Sequence, residues 1–200
     1  MTETKSVAQA VADVDRLQAA VEKWQADEVT KTAELEAFEA SAAARLVDDP
    51  DAAEELTDEA ARLRAGLALT KRTRATAEEQ LAEARRGVVL ARAAELRAQA
   101  AALTAEADQR QAKTDKLVAE LHEFEGCLFE PRMDFGSGSS GLGVRDLTKT
   151  QRLRRQADAR RQQAEELERF AAERTSEQIA AKVAQVRSQA AAGAERVAVG

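Results

Sequence analysis

Mostly apolar side chains near the start of the chain recur every seven residues in two interleaved rows. The rows are Val7, Val14, Val21, Glu28, Leu35 and Ala42, and Ala10, Leu17, Trp24, Lys31, Phe38 and Arg45. Alternating spacings of three and four residues place both rows on one face of an α-helix. We therefore predict a first helix over about residues 4–47 that packs along a narrow stripe. The charged pair Glu28 and Lys31 interrupts this stripe and is expected to set its register.

The composition favours narrow seams between helices and argues against a thick apolar core. Hydrophobic residues make up 44% of the chain and aromatic residues only 3%, and roughly half of the hydrophobic residues are alanine, which favours helix but buries little apolar area. With 33% charged residues, this composition is typical of long helices and coiled coils. Seams of so little apolar area predict self-association or a partner protein.

The sequence Asp48-Asp49-Pro50-Asp51 predicts a tight reversal of direction followed by a second helix over about residues 50–125. Asp49 is a suitable N-cap and Pro50 a suitable first helical residue. The apolar stripe of the second helix changes phase beside Gly87. The first phase comprises Leu56, Ala60, Leu63, Leu67, Ala77, Leu81, Ala84 and Val88. The second comprises Val89, Ala93, Leu96, Ala100, Leu103, Ala107, Leu117, Leu121 and Phe124.

A third helix is predicted from Thr148, which matches a capping box with Gln151, to about residue 192, with a frayed end beyond it. We interpret the phase change as an exchange of partners, with the first helix on one half of the second helix and the third helix on the other. In this register Leu17 lies near Leu81, and Leu153 near Leu117. Trp24 lies near Arg74 as a cation–π contact. The alternative is a break at Gly87 and a compact bundle.

The predicted fold is therefore all-α. It is an elongated antiparallel coiled coil of three long helices, in which the first and third fold back on a very long second helix, with one Gly-rich loop. The expected domains are a helical hairpin over 1–125, a Gly- and aromatic-rich loop over 126–147, and a third helix over 148–200 packing on residues 90–125.

The segment 126–147 and Phe124, two residues before it, hold the chain's only aromatic cluster, which either closes the end of the helical hairpin or anchors a partner protein. Its candidate partner-binding residues are Phe124, Leu128, Phe129, Met133 and Phe135. The same segment contains Gly136-Ser-Gly138-Ser-Ser-Gly141, but no βαβ pattern surrounds these glycines, so they indicate a flexible connector more than a nucleotide site. His122 and Cys127 are single residues of their types and do not have metal-ligand spacing.

Two charged segments are candidate interaction sites. The basic patch candidates are Lys149, Arg152, Arg154, Arg155, Arg160 and Arg161. The complementary acidic run is Asp48, Asp49, Asp51, Glu54, Glu55, Asp58 and Glu59. They are either solvated helix faces or surfaces that meet between chains.

The composition is similar to that of alanine- and arginine-rich coiled coils among bacterial and bacteriophage structural or assembly proteins. We expect a non-enzymatic, cytoplasmic scaffold without metal, cofactor or membrane span, which acts by self-association and protein contacts. The alternative is an adaptor or regulator that binds nucleic acid, or a nucleic-acid enzyme, through the basic segment 145–161. An enzyme that uses the Gly-rich loop is the third hypothesis.

Overall fold

A computed structural model describes residues 5–125 and 148–198, with side chains to residues 124 and 190 in the two ranges. These residues form four α-helices, α1 (Val7–Asp48), α2 (Ala53–Glu125), α3 (Lys149–Glu173) and α4 (Ser176–Ala198), with a short 3-10 turn at Pro50–Ala52. No strand occurs in these two ranges. The all-α prediction is confirmed. The predicted loop over 126–147 lies outside the described residues.

Helix starts follow local capping chemistry. The Ser6 side chain accepts a hydrogen bond from the Gln9 amide (3.2 Å), and the Gln9 side chain accepts one from the Ser6 amide (3.0 Å). The predicted capping box at Thr148 is confirmed by the same two reciprocal bonds with Gln151 (3.2 and 3.0 Å). The predicted cap at Asp49 is also confirmed, since its side chain accepts from the Asp51 amide (3.2 Å).

The helix α2 runs without a break through Gly87. The compact bundle that needed a break there is therefore wrong. An added Cβ at Gly87 would meet no atom within 4 Å, so neighbouring atoms do not require glycine at this position.

Where one third helix was predicted, the structure has two, α3 and α4, separated at Arg174–Thr175. Thr175 caps the new helix, because its side chain lies 3.5 Å from the Gln178 amide and its own amide lies 3.4 Å from the Gln178 side chain. Thr175-Ser-Glu-Gln178 matches the capping-box pattern that marked Thr148, so a sequence signal for this break exists. The last helix continues through Gly193 to Ala198.

The chain divides into two compact units, with boundaries after Val89 and after Glu173. The first unit contains α1, the part of α2 up to Val89, and α4. Its most deeply buried large side chains are Val88, Val89 and Ile179. Successive residues on a helix point about 100° apart, so burial of both valines requires α2 to be covered on more than one side. Arg187 of α4 forms an ion pair with Asp15 of α1.

The contacts between α1 and α2 run antiparallel. Arg85 donates to Gln18 (2.8 Å), Lys31 donates to Thr70 (2.7 Å), and Arg64 pairs with Glu39 (2.6 Å). The partner numbers on α2 fall as those on α1 rise, which is the signature of antiparallel packing.

The register differs from the predicted one by about one helical turn. Arg74 forms an ion pair with Glu28 (2.7 Å) that is not aligned as a hydrogen bond, so the predicted contact of Arg74 with Trp24 is wrong. The cation over the Trp24 ring is Lys23, 5.8 Å from the centroid. The offset arises because the 3-10 turn belongs to the connection between the helices, which moves the point of reversal beyond Pro50.

The second unit pairs α2 from Leu90 onward with α3. Its seam is built mainly from alanines, with one cluster of Ala93, Leu96 and Ala164 against the partly buried Leu167. Arg97 pairs with Glu168 (2.7 Å) across this seam, and Arg154 of α3 pairs with Asp108 (3.4 Å). This pairing is also antiparallel.

Candidate interaction surfaces

Phe124 is the only predicted aromatic anchor among the described residues, and it lies on the last turn of α2. Its side chain is 85% exposed, and Leu117, one heptad earlier on the same face, is 65% exposed. A spacing of seven residues places two side chains on one side of a helix. We call this pair the apolar end of α2. The other candidates, Leu128, Phe129, Met133 and Phe135, lie outside the described residues.

The exposure of the apolar end of α2 contradicts its predicted place in the seam. Asp108 lies opposite Arg154, and Thr104 accepts a hydrogen bond from Arg161 (2.7 Å). Continuing this antiparallel register along α2 places Leu117 beyond the first residue of α3, Lys149. The predicted pairing of Leu117 with Leu153 is therefore wrong, and Leu117 was not recognised as a surface residue from the sequence.

The predicted basic patch lies on the first half of α3, and we call residues 149–161 the basic segment. Its six cationic side chains are all exposed: Lys149, Arg152, Arg154, Arg155, Arg160 and Arg161. Two of them hold α3 in place, since Arg154 pairs with Asp108 and Arg161 donates to Thr104. Arg160 donates to Gln163 within α3 (3.3 Å). The segment holds six cations and one carboxylate, Asp158, a net charge of +5.

The reversal between α1 and α2 carries the opposite charge, and we call residues 46–59 the acidic turn. All seven carboxylates between residues 48 and 59 are exposed, with no basic residue among them. Glu55 forms an ion pair with Arg45 (3.5 Å). Beside these carboxylates lie two exposed apolar residues, Leu46 and Val47, and the exposed fraction of Val47 is 83%. Both lie outside the two predicted rows of the first helix.

Elsewhere in α1, Lys5 donates to Asp13 (2.7 Å). This hydrogen bond, together with the charge of Lys5, holds the pKa of the Asp13 carboxyl below its usual range. The contact ties the residue before the Ser6 cap onto the first turns of α1, so it serves the helix start and is not part of the charged surfaces described above.

An open groove of about 650 Å³ runs between α2 and α3 within the second unit. Its lining is small, amide or apolar apart from one arginine: Gln99, Ala102, Leu103, Gln156, Ala159, Arg160 and Gln163. Seven-residue patterns did not predict it, because all of its residues except Leu103 flank the predicted seam. The groove presents amide groups and a shallow apolar floor.

Within residues 5–125 and 148–198, no three His, Cys, Asp or Glu side chains are grouped as metal ligands would be. In the same residues no helix has the length and hydropathy needed to cross a bilayer. No known family model, curated protein or solved structure matches this chain.

Proposed function

We propose that this protein is a non-enzymatic scaffold of the antiparallel coiled-coil type, which acts through self-association and contacts with other proteins. Its alanine- and arginine-rich composition suits a component of a bacterial or bacteriophage assembly. The observation that carries the proposal is the apolar end of α2, where Leu117 and Phe124 expose large apolar side chains on one helix face.

Large apolar side chains that share one exposed face are characteristic of protein interaction sites. Phenylalanine is also enriched at the centres of interfaces, where charged residues are depleted. Because α3 does not reach Leu117, α3 leaves this face of α2 exposed, and we infer that a helix from another chain packs on it.

The periodic stripes support the coiled-coil part of the proposal. The less exposed residues of α1 include eleven of the twelve positions of its two predicted rows, Arg45 being the exception. Such a stripe is the pattern that packs helices side by side at the spacing of coiled coils.

The test is the mass of the protein in solution, measured by sedimentation across micromolar concentrations. The variant Leu117→Gln with Phe124→Gln is expected to weaken self-association by about tenfold or more, because truncation of central interface residues often costs over 1 kcal/mol each. The matched control is Val29→Gln with Leu69→Gln, which removes two apolar side chains that are each 66% exposed elsewhere in the molecule.

The control variant is expected to associate as the wild type does. Equal masses for all three proteins would remove the apolar end of α2 from the interface. A wild type that is fully helical and monomeric at every concentration would refute self-association itself.

A further inference from the structure

The two charged surfaces match each other in more than charge. The acidic turn presents seven carboxylates beside the exposed apolar side chains of Leu46 and Val47. The second unit presents the basic segment of α3 and the apolar end of α2. These two lie at the same end of that unit, because α3 begins where the antiparallel pairing with α2 runs out.

We propose that the acidic turn of one copy of this chain docks on the basic segment and apolar end of a second copy. The inference rests on the proposed self-association and names its surfaces. The main support for the proposal is charge complementarity. The acidic turn has seven carboxylates and no cation, and the basic segment has a net charge of +5. Complementary patches of this kind steer association and fix its register.

The apolar residues supply a contact that charge alone does not. Exposed ion pairs contribute little individually and are screened by salt. Val47 on one surface and Phe124 on the other are each more than four-fifths exposed. Burying these side chains against each other removes apolar area from water, which favours association at any ionic strength.

The arrangement joins two different surfaces, and it is heterologous unless two copies dock on each other reciprocally as a closed dimer. A head-to-tail contact of this kind leaves one free acidic turn and one free basic segment after every addition. Such contacts build rings if the rotation closes and open filaments if it does not. The structure thus assigns to this chain a surface pair suited to a closed dimer, a ring or a filament.

The basic segment can be reversed in charge without touching the residues that hold α3 on α2. The basic-reversed variant carries Lys149→Glu, Arg155→Glu and Arg160→Glu. It leaves Arg154 and Arg161 in place, and among the described residues the hydrogen bond that it removes is that of Arg160 with Gln163. A net-charge control carries Lys71→Glu, Arg72→Glu and Arg169→Glu, three exposed positions outside both surfaces.

The acidic-reversed variant carries Asp48→Lys, Asp58→Lys and Glu59→Lys. All three positions are exposed, and the capping residue Asp49 and the ion-paired Glu55 are unchanged. Far-UV circular dichroism verifies that each variant keeps the helical content of the wild type.

Each reversed variant alone is expected to associate at least about tenfold more weakly than the wild type, because three attractions become repulsions. An equimolar mixture of the two is expected to form heterodimers but no larger assembly, since the unchanged acidic turn of one meets the unchanged basic segment of the other and only altered surfaces stay free. The net-charge control is expected to assemble as the wild type does. Wild-type assembly is expected to weaken as salt rises.

Three results would overturn the inference. The first is a wild type that assembles while both reversed variants assemble equally well, which would leave the proposed self-association intact on other surfaces. The second is a mixture that stays dissociated although each variant is helical. The third is salt-dependent binding of duplex DNA that the basic-reversed variant loses without any change in its assembly, which assigns the basic segment to nucleic acid instead. A wild type that never associates would refute both proposals together.

Discussion

The most deeply buried residues of the two compact units are covered to a similar degree but differ in size. The first unit encloses branched residues, Val88, Val89 and Ile179, that are fully covered. The second encloses alanines, such as Ala100, Ala107 and Ala164. Burial of an alanine removes much less apolar area from water than burial of isoleucine or valine. Equal burial therefore does not mean equal stabilisation: the first unit depends on side-chain volume, and the second on close approach of two helices.

The largest effect is expected where volume is lost from the first unit. Ile179→Ala should lower the free energy of unfolding by about 3 kcal/mol, the sum of lost burial and the cavity that remains. The fluorescence of Trp24, the chain's single tryptophan, follows denaturant unfolding of this unit. Val29→Ala is the control, since Val29 is largely exposed. A change as small as that of the control would contradict the volume-based account.

An intermediate effect is expected where volume is added to the second unit. Ala164→Leu should destabilise that unit by about 2 kcal/mol, because the fully buried alanine has no space for a larger side chain and the helices must separate. Far-UV circular dichroism during urea unfolding measures this loss of unfolding free energy. The control is Ala172→Leu, at an exposed alanine of the same helix outside the groove lining. Equal tolerance of both leucines would show that close approach does not stabilise the pair.

The smallest effect is expected in the middle of α2, which both units share. Gly87→Ala should raise the free energy of unfolding by about 0.5–1 kcal/mol, since alanine is the better helix former. An added Cβ meets no atom within 4 Å at Gly87 or at Gly66, so Gly66→Ala is a parallel test with the same expected sign. Thermal unfolding of both variants measures the change. Destabilisation at Gly87 alone would reveal a need for glycine at the junction.

The candidate surfaces were only partly predictable. Phe124 and the six cations of the basic segment were identified from composition and charge, which are visible in the sequence. The exposure of Leu117 and Val47 was not predicted. Leu117 fits the heptad pattern of the seam, and its exposure follows only from where α3 begins relative to α2.

The register error in the first unit follows from the length of the α1–α2 connection, and the error in the second unit has a further cause in its alanine seam. Alanine stripes are uniform, so sliding one helix by a turn changes the apolar contacts little. The register is then set by polar contacts across the seam, such as Glu28 with Arg74 and Arg97 with Glu168, and by the length of each connection. Pairwise contacts of this kind cannot be read from either helix alone.

The amino-acid sequence by itself determined the helical class, the starts of the helices and the stripe that α1 buries. Caps and seven-residue periodicity act between residues close together in the chain, so they can be read without a partner. Only the tertiary structure decided that α4 joins the first unit, which stretch of α2 each helix covers, and which apolar residues stay exposed. Those outcomes depend on where each helix ends relative to its neighbour. A uniform alanine seam does not specify that position through residues that are close together in the chain.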